Sequence, residues 1–549
     1  MGYLPIENHG IIGNLHTAAL VGTDGTIDWL CLPAFDSPSV FGAILDDEKG
    51  GHFSLRPREY VRSQQLYLPN TNVLLTRFLS PEGVVEILDF MPVPERPGDR
   101  HRLIRNVRCV RGGMVLDAEC RPAFDYARAE HTVSSGKGGL VFEGAGLRLG
   151  LAADVALSGG GGGGARANFT LRDGEEATFV FSELADDEGP EAALVERSFE
   201  ELLHSTLDYW RRWLARCTYQ GRWREEVYRS ALALKLMVYA PTGAIVAAPT
   251  MGLPESVGGS RNWDYRYTWL RDAGFALYAL ISLGFHEEAG RFMDWVHDRC
   301  GGGGAEGILQ PLYGIDGRSR IVEEELPHLE GYMGSRPVRV GNDAHEQLQL
   351  DIYGAVLDAA YLYNKHGAPL DYDLWQSLRG ILDWLSENWR QPDEGIWEVR
   401  GGRQHFVSSK LMSWVALERA GRIAMQRGLP GGNGRWTRER DAIYEEIMDQ
   451  GYNAERGSFV QHYGSNALDA SLLLMPLVKF VGPTDPRWLS TLEHIKDELA
   501  HDSLVDRYAV GESASDGFDE PEGSFSMCSF WMVECLTQAG RLEEARLSL

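Results

Sequence analysis

The chain has 549 residues, more than one ordinary domain holds, so its length predicts two domains or three. Its formal net charge at pH 7 is −26, and a surface that acidic repels nucleic acid and anionic membranes. We therefore expect neither as a partner, whereas a neutral small molecule meets no such repulsion.

The cysteines and the N-terminus indicate the compartment. The seven cysteines are odd in number and form no Cys-X-X-Cys pair, which fits neither a disulfide framework nor a zinc site. The N-terminal residues lack a basic segment followed by an apolar run, so they predict no signal peptide. No apolar stretch of the sequence is long enough to span a bilayer. Together these features predict a reduced, cytoplasmic protein.

Residues 1–190 have the pattern of an antiparallel β-sandwich domain. Residues 23–26, Thr-Asp-Gly-Thr, predict a hairpin turn because Asp-Gly readily adopts positive φ. Predicted strands cover residues 73–78, 84–90, 101–109, 115–121, 140–143, 147–151 and 177–182. The glycine run at residues 159–164 predicts a hairpin tip, since the phosphate-cradle alternative needs a Gly-Lys-Ser/Thr sequence that does not follow.

Beyond residue 190 the periodicity becomes helical. Residues 191–224 are predicted to be a linker with an amphipathic helix at 191–217, and residues 225–549 an all-α catalytic domain. Its predicted helices cover residues 225–239, 265–283, 286–298, 344–365, 372–389, 408–426, 436–450, 467–478, 487–499 and 525–539, and another begins at Arg541. Helices of similar length joined by decorated loops favour an (α/α)6 barrel. The predicted helices fall short of six pairs, so we expect the barrel to be incomplete at the C-terminus.

Acidic residues in Trp- and Gly-rich loops are the candidates for chemistry. Cleaving a glycosidic bond needs a protonated carboxyl group that donates to the leaving oxygen, and a second carboxylate that activates water or attacks directly. Residues 261–272 end in Arg271 and Asp272 at a loop-to-helix boundary. The carboxylate can accept two sugar hydroxyls while the guanidinium donates, and a surface ion pair is the alternative interpretation.

The segment at residues 393–398 places an acid beside an indole. Glu398 directly follows Trp397 in a tight Gly turn. An indole that excludes water from a carboxyl group favours the protonated form, as a general acid requires. Glu394 is the competing acid, and a solvated acidic loop is the alternative.

Two further segments carry chemistry-bearing side chains. Glu522 precedes a Gly and the aromatic start of a helix, where it either caps the helix N-terminus or faces substrate. His345, Glu346 and Gln349 have helical spacing, but the segment holds one His and no His-Glu-X-X-His pattern. We therefore expect no metal site there.

Taken together, these segments resemble the glycoside hydrolases of family 15, the glucoamylase- and trehalase-like enzymes. The similarity runs over nearly the whole chain, and the matching stretches are residues 6–10, 24–30, 267–272, 395–398, 405–406, 409–410 and 522–525. The resemblance implies a β-sandwich in front of an (α/α)6 barrel, no metal or organic cofactor, and release of β-glucose.

The resemblance also implies roles for single residues. By position, Glu398 matches the family's general acid. The substrate-binding set that it implies is Trp269, Arg271, Asp272, Trp397 and Lys410. Eukaryotic glucoamylases have a second Glu after the acid, where this chain has Val399. That departure indicates the bacterial branch of the family and argues against starch-type recognition of the leaving sugar.

A second departure concerns the general base. In the family the base is a Glu beyond the helix that begins here at Arg541, and this sequence ends at Leu549. We expect either that the sequence is a fragment or that the chain lacks this base. Glu522 is the fallback base, although the resemblance favours a substrate-binding role for it.

The favoured function is an inverting hydrolase that releases β-D-glucose from the non-reducing end of small α-glucosides such as trehalose, isomalto- or malto-oligosaccharides. Two alternatives stay open. An inverting disaccharide phosphorylase has a similar layout and uses phosphate in place of base and water. A non-hydrolytic sugar-binding protein, or an incomplete chain, would bind the sugar without turnover.

Overall fold

The computed structural model describes residues 2–96, 98–160, 163–191, 197–301, 308–509 and 523–549. The chain divides into two compact units. The first, called here the sheet unit, comprises Met1–Gly258, Asn262–Tyr267 and Glu324–Val340. The second, called the helical unit, comprises Gly259–Arg261, Thr268–Glu323 and Gly341–Leu549. A sheet-rich N-terminal region followed by a helical region was predicted and is confirmed.

The sheet unit is built from antiparallel strands. They are β1 (His9–Gly13), β2 (Ala18–Gly22), β3 (Thr26–Cys31), β4 (Ser39–Phe41), β5 (His52–Pro57), β6 (Arg62–Tyr67), β7 (Leu74–Leu79), β8 (Gly83–Phe90), β9 (Arg102–Arg121), β10 (Thr132–Gly136), β11 (Gly139–Gly144), β12 (Leu147–Ala153), β13 (Ser158–Gly160), β14 (Gly164–Arg172) and β15 (Glu176–Glu183).

Strand β9 joins two sets of strands. Its first half pairs with β8 and β15, and its second half pairs with β5 and β14. Aromatic side chains of the two sets meet in one core, where the Phe41 and Phe181 rings lie 5.2 Å apart and the Phe53 and Phe179 rings 6.1 Å apart. The two strands predicted at residues 101–109 and 115–121 are therefore one strand, which continues through Gly112 at positive φ.

The predicted hairpin turn at residues 23–26 forms. Gly25 has a φ of +83° between β2 and β3, and the Thr26 amide donates to Asp24 Oδ1 at 3.0 Å. A side chain at Gly25 is excluded because its Cβ would lie 2.4 Å from the Leu55 carbonyl oxygen. The glycine run connects β13 to β14, which pair antiparallel; residues 161 and 162 lie outside the described residues.

The helices follow the strands in the chain. They are α1 (Phe199–Leu214) and α2 (Arg224–Leu236) in the sheet unit, and α3 (Leu270–Ser282), α4 (His286–Gly301), α5 (Asp351–His366), α6 (Tyr372–Asn388), α7 (Val407–Arg427), α8 (Arg435–Gln450), α9 (Leu474–Leu477), α10 (Pro486–Leu499), α11 (Ser526–Gln538) and α12 (Leu542–Ser548) in the helical unit. Helix α1 begins at a capping box between Ser198 and Glu201. None of the helices in the described ranges is both long and apolar enough to cross a membrane.

Several helices start later than predicted, and for two of them the neighbouring contacts give the reason. The helix predicted from residue 265 begins at Leu270, because Thr268–Trp269 pairs as a short strand with Leu312–Tyr313. The helix predicted from residue 344 begins at Asp351, after a 3-10 turn at Asp343–Glu346. Between them, the amides of Leu348 and Leu350 donate to carboxylates of the loop at residues 393–398 instead of to helical carbonyls.

Candidate active site

The loop at residues 393–398 holds its last residue in an unusual backbone conformation. Glu398 has a φ of +59°, in the left-handed region that residues with a side chain rarely adopt. The turn is closed by the Val399 amide, which donates to the Glu394 carbonyl at 3.2 Å, and by the Glu398 amide, which donates to the Gly395 carbonyl at 3.3 Å. Strain of this kind at a polar residue is typical of functional sites.

The Glu398 carboxylate meets two donors at the start of helix α3. Its Oε1 accepts from the Trp269 indole Nε1 at 2.7 Å and from Arg271 Nη1 at 3.2 Å. The Glu398 side chain is 19% exposed, so it is neither sealed in the core nor free in solvent. Both donors bind Oε1, and no hydrogen bond among the described residues occupies the second carboxyl oxygen.

Arg271 links Glu398 to Asp272. Its Nε donates to Asp272 Oδ1 at 2.8 Å and its Nη2 to Asp272 Oδ2 at 3.4 Å, while Nη1 also donates to the Ile396 carbonyl. Burial opposes the charge on Arg271, but Asp272 and Glu398 outweigh burial and raise the pKa of Arg271, so the guanidinium stays charged. Asp272 is the more exposed partner, at 31%, and can still accept hydrogen bonds from hydroxyl groups.

The structure separates the two acids of the loop. Glu394 Oε2 accepts from the Leu348 amide at 2.8 Å and its Oε1 accepts from Arg403 Nε at 2.9 Å. The Glu394 amide in turn donates to the Leu348 carbonyl at 3.0 Å. Both oxygens of Glu394 are therefore used to hold the loop, and Glu398 is the acid that lies with Arg271 and Asp272.

Two family models match this chain. A family model described as glycosyl hydrolases family 15 matches residues 221–547, and one described as trehalase-like, N-terminal, matches residues 2–156. The chain belongs to glycoside hydrolase family 15. The resemblance inferred from the sequence motifs is confirmed, and the protein is a glycoside hydrolase.

Similar proteins cover almost all of this family 15 enzyme. A trehalase of Mycobacterium tuberculosis is 39% identical over 99% of this chain and 82% of its own length. A trehalase of Thermoplasma volcanium is 36% identical over 99% of this chain and 86% of its own length. A solved structure from the human microbiome, named as a kojibiose phosphorylase, covers 97% of this chain and 81% of its own, with a TM-score of 0.50 and 9% identity. That likeness concerns the fold alone.

The Trp397 side chain of this family 15 enzyme is held in place by contacts with Asp469, Arg507 and Phe525. Its indole Nε1 donates to both carboxylate oxygens of Asp469 at 3.0 Å, and the Arg507 guanidinium lies 5.2 Å from its ring. The Trp397 and Phe525 rings are 6.0 Å apart in an edge-on arrangement. Asp469 is buried, which raises its pKa. No sequence motif pointed to Asp469, because nothing in its neighbourhood of the chain marks it.

Lys410 lies in a different environment from the other predicted substrate-binding residues. Its ammonium group is fully buried and donates to the carbonyl of Trp389 and, at 2.7 Å, to that of Gln391. Burial lowers the pKa of Lys410 to about 8, against the opposing charge of Asp393. Among the contacts of the described residues, none joins Lys410 to Glu398 or Arg271, and its role in substrate binding stays a prediction.

Two further positions that the sequence analysis considered are Glu522 and His345. Glu522 lies outside the described residues, so its role as fallback base stays a prediction. His345 Nδ1 lies 3.1 Å from the Asn342 carbonyl and its Nε2 lies 3.8 Å from Glu346. Over the described ranges, no three His, Cys, Asp or Glu side chains are grouped so that they could hold a metal ion.

Two buried carboxyl groups near the site carry no sequence signal. Asp351, at the start of helix α5, has a pKa raised by burial to about 6. Asp393 has a pKa raised by burial to about 7, and its Oδ2 accepts from the Leu350 amide at 2.9 Å. Asp393 binds the Leu350 amide and Glu394 binds the Leu348 amide. These two amides would otherwise extend helix α5, so the helix starts late.

Proposed function

We propose that this family 15 enzyme hydrolyses small α-glucosides, trehalose first among them, and releases β-D-glucose from the non-reducing end with inversion. The trehalase relatives support the substrate, since their similarity extends over both regions of the chain. The observation that carries the proposal is the placement of Glu398 Oε1 between the Trp269 indole and the Arg271 guanidinium, which also chelates Asp272.

The proposed reaction begins with a proton transfer from Glu398. The proton passes from its free carboxyl oxygen to the glycosidic oxygen as the bond from that oxygen to the anomeric carbon breaks. Arg271 and Asp272 hold hydroxyls of the non-reducing glucose, and this fixes the ring against the acid. Trp397, which is partly exposed, supplies an apolar face for the sugar. Trp269 is buried and acts through the N–H that it donates to Glu398 Oε1.

The second half of the reaction needs a carboxylate that takes a proton from water on the opposite face of the ring. Water then bonds to the anomeric carbon and the configuration there inverts. Glu522 is the candidate for this step, on sequence grounds only. A Glu522→Gln variant that retains full turnover would remove it from this role.

An (α/α)6 barrel is the architecture that we propose around the site. Helices α5 and α7 are buried on nearly every side, as inner helices of a barrel would be. Helices α6, α8 and α10 bury single faces, as outer helices would. Asp351 begins helix α5 and the loop at residues 393–398 precedes helix α7, which supports a site at the N-terminal end of these two helices.

The test is NMR of fresh product from trehalose, isomaltose and maltose, with and without phosphate. Inverting hydrolysis of trehalose gives equal amounts of α- and β-glucose before mutarotation, because only one of its two glucose units is attacked. Formation of α-glucose alone would overturn inversion. Turnover only with phosphate, with glucose 1-phosphate as product, would establish the phosphorylase alternative, and binding without turnover the sugar-binding one.

A further inference from the structure

A cavity in the sheet unit is lined by side chains for which the proposed reaction has no use. Its volume is about 280 Å³, and all of its lining residues belong to the sheet unit. Pockets for small molecules begin at about 300 Å³, so this cavity suits a small ligand. The polar and aromatic residues of its lining are Ser54, Arg56, Arg58, Tyr60, Asp117 and Glu119.

The pleating of strands β5 and β9 turns the polar residues of this cavity outward. Phe53 of β5 belongs to the core of the sheet unit, and alternate residues of a strand point to opposite faces. Ser54 and Arg56 therefore lie on the outer face. In the ladder Ser54 pairs with Glu119 and Arg56 pairs with Asp117, which brings all four side chains to the same face.

The charged side chains that line the cavity form balanced ion pairs. Each arginine there meets one carboxylate, and the pairs are Arg58–Asp117 at 3.0 Å, Arg166–Glu119 at 2.7 Å and Arg56–Asp24 at 3.4 Å. His52 lies 3.8 Å from Glu119, and burial lowers the pKa of His52, so its ring is uncharged at neutral pH. These pairs leave no excess charge that would attract an ionic ligand.

Two features of the lining match the surface of a sugar. Arg58 holds Asp117 through Nε and Nη2, and no hydrogen bond among the described residues uses its Nη1. Their side chains are 57% and 46% exposed, so the guanidinium can donate to hydroxyl groups and the carboxylate can accept from them. Tyr60 packs edge-on against the buried Phe78, with the ring centres 4.9 Å apart, and is itself 36% exposed. Its ring supplies an apolar surface beside these polar groups, which suits a sugar ring.

We propose that this cavity is a second carbohydrate site, which binds a neutral glucose unit, either free or at the end of a glucoside. The Arg58–Asp117 pair has the same chelate geometry as Arg271–Asp272, in which Nε and Nη2 of the arginine also hold the two carboxylate oxygens. The choice of glucose rests on the proposed function. The choice of a neutral ligand rich in hydroxyl groups rests on the balanced pairs and on Tyr60.

Binding beside Tyr60 can be measured in the full chain labelled with 3-fluorotyrosine. The 19F resonance of Tyr60 is assigned by its loss in Tyr60→Phe, and D-glucose is the probe because it undergoes no turnover. We expect a saturable shift of this resonance, with half-saturation in the millimolar range. In Arg58→Met the half-saturating concentration should rise about fivefold or more, since this change removes a donor to the sugar and the partner of Asp117.

Two further ligands define what the site selects. Glucose 6-phosphate should bind no more tightly than glucose, because the ion pairs are balanced. Trehalose is tested with Glu398→Gln, which prevents its hydrolysis. Tighter binding of trehalose than of glucose would identify the substrate as the ligand, and equal or weaker binding would identify the product.

The matched control is Arg77→Met. Arg77 is 40% exposed and donates from Nε to Glu86 Oε1 at 2.7 Å across neighbouring strands, but it is not a lining residue of the cavity. Its half-saturating concentration should equal that of the wild type. The inference is overturned if glucose gives no saturable shift at Tyr60, if Arg58→Met weakens binding no more than Arg77→Met, or if glucose 6-phosphate binds more tightly than glucose. Absence of glucose release from trehalose by the wild-type enzyme would instead overturn the proposed function, since the titration with glucose needs no turnover.

Discussion

Buried arginines in the two units are satisfied in different ways. In the sheet unit, Arg105 chelates Asp89 and donates to two backbone carbonyls, and neither side chain is exposed. Arg266 chelates Asp264 and donates to the Ser37 carbonyl and the Tyr126 hydroxyl, again with both partners of the ion pair fully buried. Among the ion pairs of the described residues, each of these guanidinium groups pairs with one carboxylate, so the charges balance.

Arg271 in the helical unit has three carboxylates around it. Asp272 chelates it, Glu398 lies at 3.2 Å, and the charge of Asp351, at the start of helix α5, also acts on it. The surplus of negative charge and the partial exposure of Asp272 and Glu398 have no structural use, since one carboxylate suffices to neutralise a buried arginine. The difference teaches that an uneven charge balance, more than burial itself, marks the chemical site.

The strongest test of this comparison removes the carboxyl group of Glu398. Glu398→Gln keeps the shape and the Trp269 contact but has no proton to donate, so we expect kcat on trehalose to fall by about 10³-fold or more. Sugar binding, measured by calorimetry, should survive. Glu394→Gln is the matched control from the same loop, and it should cost less than about 10-fold because its Arg403 partner is half exposed. Turnover of Glu398→Gln close to wild type would remove Glu398 from its role.

Breaking the Arg105–Asp89 ion pair of the sheet unit should lower the stability of the fold and leave the activity unchanged. Arg105→Met leaves the fully buried Asp89 without its partner, and we expect the free energy of unfolding in urea to fall by about 3–5 kcal/mol. Turnover per folded molecule should not change. A loss under about 1 kcal/mol would show that this pair contributes little to the fold.

Asp351 should make stability depend on pH. Burial raises its pKa from 3.8 to about 6, so the folded state binds the proton more tightly than the unfolded state. The stability that this group contributes is present below pH ~4 and is lost as the pH rises through about 6, by up to about 3 kcal/mol. Urea unfolding at either side of this range should show that Asp351→Asn lacks this decline. An equal decline in both proteins contradicts the assignment.

The smallest effect should come from Trp269. Trp269→Phe keeps an aromatic ring but removes the N–H that binds Glu398, and we expect kcat to fall by about 10-fold. The loss should appear in kcat, measured on trehalose, because the phenyl ring keeps the packing while the contact with Glu398 Oε1 is lost. Turnover equal to that of the wild type would contradict this placement of the indole.

Local pattern predicted most of the helical elements. The helix predicted at residues 372–389 is found at Tyr372–Asn388, because its apolar residues recur at helical spacing and Asp371 caps it. Residues 408–426 lie within Val407–Arg427 for a similar reason, and Gly428 ends that helix in the left-handed conformation. Arg271, Asp272, Trp269 and Glu398, chosen from motifs, come together in the structure.

The remaining features depend on contacts between distant parts of the chain. Helix α5 starts only at Asp351 because the amides of Leu348 and Leu350 bind carboxylates more than forty residues away. Asp469 and Asp351 stand in apolar stretches, with no local pattern to distinguish a buried acid from any other. The merging of two predicted strands into β9 likewise follows from pairing with strands on both sides of Gly112.

The backbone at Glu398 has a consequence for engineering. A left-handed conformation costs a residue with a side chain about 1–2 kcal/mol, and glycine avoids that cost. Selecting variants of this protein for melting temperature alone would therefore enrich Gly at position 398 and discard the acid. Thermostability screens on this scaffold need activity as a second criterion, because this strained residue is also the proposed proton donor.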